Sequence, residues 1–196
     1  MTRTAEIKRK TAETIVDVRL DLDGTGLTDV ATGIGIFDHL LTSLGRHTLF
    51  NLFIHAEGDL HIDAHHTIED VGIVLGRGLH QALGDKRGIT RFGHAILPMD
   101  ESRVEAAVDL CGRGFLAFDI EFERPMLGDM DTQLVEEFFR ALTTNGQFTL
   151  HLSRRAGRNT HHVAEAAFKA AARALRMAVE LDGRQMENIP STKGIL

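Results

Sequence analysis

Tryptophan and tyrosine are absent from this 196-residue chain, and cysteine occurs only once, as Cys111. A single thiol rules out an intrachain disulfide and favours a reducing, cytoplasmic setting. No apolar run approaches the roughly 20 residues that a membrane span requires. The polar opening, Met1-Thr-Arg-Thr-Ala-Glu-Ile-Lys-Arg-Lys, is unlike a signal peptide. Basic surplus is missing too: the net charge is −6 and no basic stripe is present, which argues against a nucleic-acid binder. A hydrophobic content of 43% with 26% charged residues is ordinary for a globular chain, and the length suits one compact domain or two small halves.

Histidine is abundant by contrast, with 11 copies. Imidazole is the commonest metal ligand, which gives that excess a direction. Two of the histidine groups are also copies of one another. A shift of 96 positions lays His65-His66-Thr-Ile-Glu69 on His161-His162-Val-Ala-Glu165, and Arg77, Leu79 and Ala82 on Arg173, Leu175 and Ala178. His55 meets His151 at the same shift. A shift of 98 lays Ile36-Phe37-Asp38-His39-Leu40-Leu41 on Leu134-Val135-Glu136-Glu137-Phe138-Phe139. A shift of 88 lays Glu13-Thr14 on Glu101-Ser102, and Leu20-Asp21-Leu22 on Val108-Asp109-Leu110. The segments recur in the same order, so the chain reads as two homologous halves, 1–92 and 93–196.

Each half has the same periodicities. Val16, Val18, Leu20 and Leu22 alternate with Asp17, Arg19, Asp21 and Asp23, the pattern of a half-buried strand ending in a Gly-Thr-Gly turn. Residues 36–44 carry Phe37, Leu40, Leu41 and Leu44 at helical spacing, with Gly45 as the expected stop. Leu49 to His55 suits a strand, and 65–83 a longer amphipathic helix. The second half predicts helices near 131–144 and 161–181, with a strand near 146–152. Three or four strands and two helices per half give an α/β fold built by internal duplication. The tail, Ile189 to Leu196, is expected to be irregular.

Helix geometry partitions the paired motifs. Positions four apart share a face, whereas adjacent positions differ by about 100°. His65 and Glu69 can therefore grip one metal together while His66 points elsewhere, and the same holds for His161, Glu165 and His162. The pseudo-symmetric solution gives one ion His65, Glu69 and His162, and the other His161, Glu165 and His66. The spacing leaves open whether one subunit or two supplies the helices. The repeat nominates His39 and Glu137 as further ligands, at matching positions on matching helices. A donor set rich in imidazole and carboxylate suits a six-coordinate divalent ion such as Mn2+, although zinc or iron would also bind. Open coordination positions would point to substrate coordination. A lone pair of histidines is more often a surface or capping feature, and the recurrence is what lifts these above it. Glu137 alone would read as a solvated helix charge. His55 and His151 read as structural strand residues, and His61, His80 and His94 carry no expected role. Two other classes compete: a metal-stapled binding cage, and a dinuclear hydrolase of phosphate esters. Arg91, Arg113, Lys169 and the Ser191-Thr192-Lys193-Gly194 tail are candidates for an anionic group, since arginine forks and hydroxyls suit phosphate.

Several segments together carry a resemblance: Phe37-Asp38-His39-Leu40-Leu41, Gly58-Asp59-Leu60-His61-Ile62-Asp63-Ala64-His65-His66-Thr67-Ile68-Glu69-Asp70, Leu97-Pro98-Met99-Asp100-Glu101, Asn159-Thr160-His161-His162 and Pro190-Ser191-Thr192-Lys193-Gly194. Over essentially the whole chain, the sequence resembles the imidazoleglycerol-phosphate dehydratases of histidine biosynthesis, in their monofunctional form. The resemblance implies a fold like domain 2 of ribosomal protein S5, with helices packed between the sheets of two half-domains. It implies a hydro-lyase with two Mn2+ per active site, and a cytoplasmic homo-oligomer, a 24-subunit shell with metal sites between subunits. It places one ion on His39, His66, His161 and Glu165, and the other on His65, Glu69 and His162. The remaining ligand in the family is commonly a histidine at the position held here by Glu137. Substrate contacts carry over to Glu13, His39, His47, Arg91, Arg113, Lys169, Ser191, Thr192 and Lys193. The implied chemistry turns imidazole glycerol phosphate into imidazole acetol phosphate and water, through an imidazolate held between two Mn2+ ions. Glu13, Glu69 and Glu165 are the expected groups for proton transfer.

Overall fold

A computed structural model describes residues 2–196. Each half opens with an antiparallel hairpin and closes with a long helix. In the first half, β1 (Thr4–Lys10) pairs with β2 (Thr14–Asp21), and β3 (Thr28–Ala31) crosses through α1 (Gly35–Thr48) to pair in parallel with β4 (Asn51–Gly58). α2 (His65–Leu83) follows. The second half repeats this with β5 (Phe92–Met99), β6 (Ser102–Asp109), β7 (Phe115–Asp119), α3 (Gln133–Gly146), β10 (Thr149–Ala156) and α4 (Thr160–Val179). The sheet orders correspond, β1-β2-β4-β3 and β5-β6-β10-β7. One element has no counterpart and was not expected: a two-residue hairpin, β8 (Met126–Leu127) with β9 (Met130–Asp131), inserted before α3.

The period-2 pattern puts Val16, Val18 and Leu20 of β2, with Leu52 and Ile54 of β4, on the buried face of the first sheet. Val104, Ala106, Val108, Leu150 and Leu152 do the same in the second. The four helices fill the space between these faces: α2 packs on the first sheet, α4 on the second, and the helices meet across the middle as α1 with α4 and α2 with α3. Each pair thus joins one helix from either half, so the duplicated units interlock in a common core.

Gly45 is not a stop. α1 runs through it to Thr48 and ends at Leu49, which adopts the left-handed conformation at φ 63°. The glycine answers a packing demand instead: a Cβ there would lie 2.5 Å from the Thr28 side chain of β3. α1 starts where it does because Asp38, within its first turns, accepts hydrogen bonds from the backbone N–H (2.9 Å) and hydroxyl (2.6 Å) of Thr32.

The helix pairs run parallel, which sets up the site. His39 and His161, near the starts of α1 and α4, stack at 5.9 Å. Nearer the ends of the same helices, His47 lies in the field of Lys169 and Arg173. Likewise α2 and α3 share a cleft at their beginnings, lined by both His65 and Glu137. All four N-termini therefore gather at one pole, and the C-terminal tail lies at the other.

Candidate metal centre

One capping amide and one capping carboxylate aim the histidines at this pole. Asn159 caps α4, its Oδ1 accepting from the backbone N–H groups of His161 (3.0 Å) and His162 (3.3 Å). Asp63, at the matching place before α2, accepts from the N–H of His65 at 2.8 Å. The adjacent rings then diverge: His65 and His66 are inclined at 82°, and His161 and His162 at 81°. This is the consequence of neighbouring positions on a helix.

His39, His161 and Glu165 offer ligating atoms that all lie within 4.8 Å of one another. Among the described residues this is the one cluster of three such donors. The Glu165 carboxylate is its centre and is 8% exposed. Its Oε2 lies 3.1 Å from His161 Nε2 and 3.4 Å from His39 Nε2, while Lys169 Nζ donates to Oε1 at 2.7 Å. Burial pushes this carboxyl up, but the Lys169 ammonium and the His39 ring outweigh burial and hold it at about 2. Two imidazole nitrogens and an ionised oxygen converging on one point form a donor set that fits a divalent cation.

The second ion's expected ligands are arranged differently. His65 and Glu137 line a cleft of about 610 Å³ together with Asp129 and Asp131. Glu69 lies one turn along α2 from His65, and no third donor closes on the pair. Glu137, with its side chain 37% exposed, faces Arg140 at 3.9 Å.

His66 and His162 lie outside the three-donor cluster. Each is held at Nδ1 by a carboxylate. His66 donates to Asp59 at 3.0 Å, and His162 donates to Glu101 at 2.7 Å. Both rings are pushed towards the charged form, His66 by its bond to Asp59 and His162 by its bond to Glu101. The His162 bond, aided by the backbone N–H of Asn159, holds the Glu101 carboxyl at about 2. Sequence reasoning assigned neither Asp59 nor Glu101 a role. Glu101 had a signal, its alignment with Glu13 in the repeat. Asp59 had none, because the matching position holds Arg155.

The residues nominated for an anionic group do not gather at this pole. Lys169 does, bound to Glu165. His47 sits partway along α1, held towards its neutral form by burial and by Lys169 and Arg173. Arg91 lies at the far end: its N–H donates to Ala178 O at 2.8 Å, near the C-terminus of α4. The 17 residues from His161 to Ala178 span about 25 Å at a rise of ~1.5 Å per residue. The guanidinium is engaged there, by Asp109 at 2.7 and 3.2 Å and by Pro190 O at 2.8 Å. Ser191 and Lys193 belong to the turn just beyond, where Gly194 N donates to Ser191 O at 3.0 Å, and Thr192 is exposed beside them. Arg113 is exposed between β6 and β7, and its neighbour Gly114 packs on Thr144 near the end of α3. Glu13 is exposed in the β1–β2 turn, 3.8 Å from His66 Nε2. His55 and His151 stand exposed on β4 and β10. Among the described residues, no helix is long and apolar enough to cross a membrane.

The family model for imidazoleglycerol-phosphate dehydratase matches residues 32–175. The imidazoleglycerol-phosphate dehydratase of Acidiphilium cryptum is 72% identical over 196 residues, covering 100% of both chains. That of Granulibacter bethesdensis is 63% identical with the same coverage. Among solved structures, the dehydratase of Staphylococcus aureus superposes with a TM-score of 0.83 at 36% identity, covering 91% of this chain and 99% of that one. The Pyrococcus furiosus protein gives 0.83 at 33%, covering 97% and 100%.

Proposed function

Since this chain belongs to the imidazoleglycerol-phosphate dehydratase family and is an enzyme of the hydro-lyase type, we propose that it dehydrates imidazole glycerol phosphate to imidazole acetol phosphate at a two-metal site shared between subunits. The observation that carries this reading is the convergence of His39, His161 and Glu165 on one point. His39, His161 and Glu165, with His66 from a neighbouring copy, would hold one ion. His65, Glu69 and Glu137, with His162 from a neighbouring copy, would hold the other. Bound there, two divalent ions, Mn2+ by the resemblance, would act as Lewis acids that stabilise the deprotonated imidazole ring of the substrate.

The chain's own residues account for the remaining tasks. The carbon that loses its proton has no carbonyl beside it, so a positioned base is required. Glu13, exposed and next to His66, is suited to carry that proton. Glu165 and Glu69 would serve proton transfer closer to the ions. Lys169 keeps Glu165 ionised and hence able to ligate. Arg91, Arg113, Ser191, Thr192 and Lys193 would hold the phosphate and fix its orientation. In one chain Arg91 stands about 25 Å from the histidines along α4, so a substrate of this size can touch both groups only if another subunit brings its tail pole to this metal pole. That separation supports a homo-oligomer with composite sites, for which the resemblance suggests 24 copies in the cytoplasm.

One assay tests the reading. Manganese-loaded protein incubated with imidazole glycerol phosphate is expected to release ketone and no inorganic phosphate. Free phosphate would instead identify a hydrolase. An intact assembly without turnover would leave the metals a purely structural part.

A further inference from the structure

The two outward-turned histidines are gripped by carboxylates from different places. In the second half, the grip comes from the hairpin turn: Glu101 Oε2 takes His162 Nδ1, and Oε1 accepts from Asn159 N at 3.0 Å and Ser102 Oγ at 3.0 Å. In the first half, the matching turn residue, Glu13, does not perform this task. Its carboxylate accepts no hydrogen bond from the described residues and lies on the Nε2 side of His66. Asp59, from the segment between β4 and α2, takes His66 Nδ1 instead. The two turns share one register and differ in conformation. Lys10↔Ile15 and Pro98↔Arg103 are equivalent pairs, each enclosing four residues, and in the second turn Asp100 adopts a left-handed φ of 48°. Its counterpart Ala12 does not, and the first turn is braced by Thr11 Oγ1, which accepts from Glu13 N (3.1 Å) and Thr14 N (2.9 Å). The differently shaped turn leaves Glu13 on the Nε2 side of the ring.

We propose that Asp59 and Glu101 are positioning residues, each fixing one imidazole so that its Nε2 is presented to a divalent ion, and that Asp59 thereby leaves Glu13 unencumbered for proton transfer. The proposal rests on the two-metal reading above for the ion itself, but the grip on the rings is a property of the metal-free chain. An ionised carboxylate can only accept, so it selects the tautomer with the proton on Nδ1 and the lone pair on Nε2. The duplicated halves thus diverged in which carboxylate orients the ligand, Asp59 in the first and Glu101 in the second, while a turn carboxylate lies on the Nε2 side in both, Glu13 at 3.8 Å and Asp100 at 3.7 Å.

The test uses the full chain labelled with 15N-histidine, stripped of metal, and then titrated with Mn2+ by the EPR signal of the free ion. Asp59→Ala is expected to abolish the Nδ1–H preference of His66 alone, and Glu101→Ala that of His162 alone. Each should weaken Mn2+ binding at half of the sites about 10–100-fold. Glu101→Gln, which keeps an acceptor oxygen, should restore the His162 tautomer, a rescue that a merely structural role would not show. Glu13→Ala should leave both tautomers and both affinities unchanged. The proposal is overturned if Glu13→Ala disturbs His66 as much as Asp59→Ala does, or if Asp59→Ala leaves that ring unaltered. Should the unmodified protein take up no Mn2+, the two-metal reading fails, while the nitrogen spectra still decide the positioning roles.

Discussion

The α1/α4 and α2/α3 pairs occupy equivalent places in the duplicated fold, yet they are built from complementary volumes. Gly72 of α2 admits α3 to backbone contact: a Cβ there would lie 2.8 Å from Phe138 O and from the Ala141 side chain. Its counterpart in α4 is Phe168, which is fully buried and stacks on Phe138 at 5.3 Å with 13° between the rings. A large ring in one half thus fills the centre that a glycine vacates in the other. The polar ends differ in the same way. α1/α4 brings together two imidazoles, a buried carboxylate and Lys169, whereas α2/α3 offers His65 and a half-exposed Glu137, with Ile73 in the place of the lysine. Duplication preserved the ligand spacing along each helix. It did not preserve the company those ligands keep across the helix pair.

The sharpest test of that difference substitutes the two carboxylates. Glu165→Gln removes the centre of the assembled cluster and is expected to lower dehydratase kcat at least about 100-fold, with matching loss of Mn2+. Glu137→Gln should cost less, about 10-fold, because its side chain is more exposed and an amide oxygen can still ligate. Equal losses would mean that assembly completes the second cluster as fully as the first. A smaller effect is expected in the core. Phe168→Ala should destabilise the metal-stripped protein by about 3–5 kcal/mol through the cavity it leaves. Gly72→Ala should do so by about 1–3 kcal/mol through overpacking. Urea unfolding reads both, and the reverse order would show that the close α2–α3 approach, not the aromatic stack, dominates the central contact.

The smallest expected effect lies in acid. Glu165 is held at about 2, below its ordinary 4.5, so its ionised form is favoured in the fold. Its stabilising contribution is complete above about pH 4.5 and fades as pH falls towards 2. The urea midpoint of metal-stripped protein should therefore decline across this window, and the Glu165→Gln variant should show a shallower decline. An identical slope would remove Glu165 from the acid response.

Much of the fold was legible because its signals are local. The period-2 run Val16-Val18-Leu20 and the helical run Phe37-Leu40-Leu41-Leu44 report burial directly, and the repeat showed that each must occur twice. Gly45 misled for the opposite reason: a glycine fitted against Thr28 of β3 looks, in sequence, like a glycine that ends a helix. The β8–β9 hairpin interrupts the repeat and had no second copy to reveal it. At the site, the i, i+4 spacing of His161 and Glu165 was readable as a shared face. The Asp59 grip on His66 was not, since the irregular segment 59–64 that precedes α2 carries no angular rule.

By itself, then, the sequence determined the duplication, the elements and the divergence of adjacent histidines, because backbone periodicity fixes side-chain direction along a single helix. Only the tertiary structure decided that helices of opposite halves pair, that His39 joins His161 and Glu165, and that Arg91 and the tail stand at the far pole. Those relations span more than 60 residues, and they depend on how volumes such as Gly72 and Phe168 fit one core.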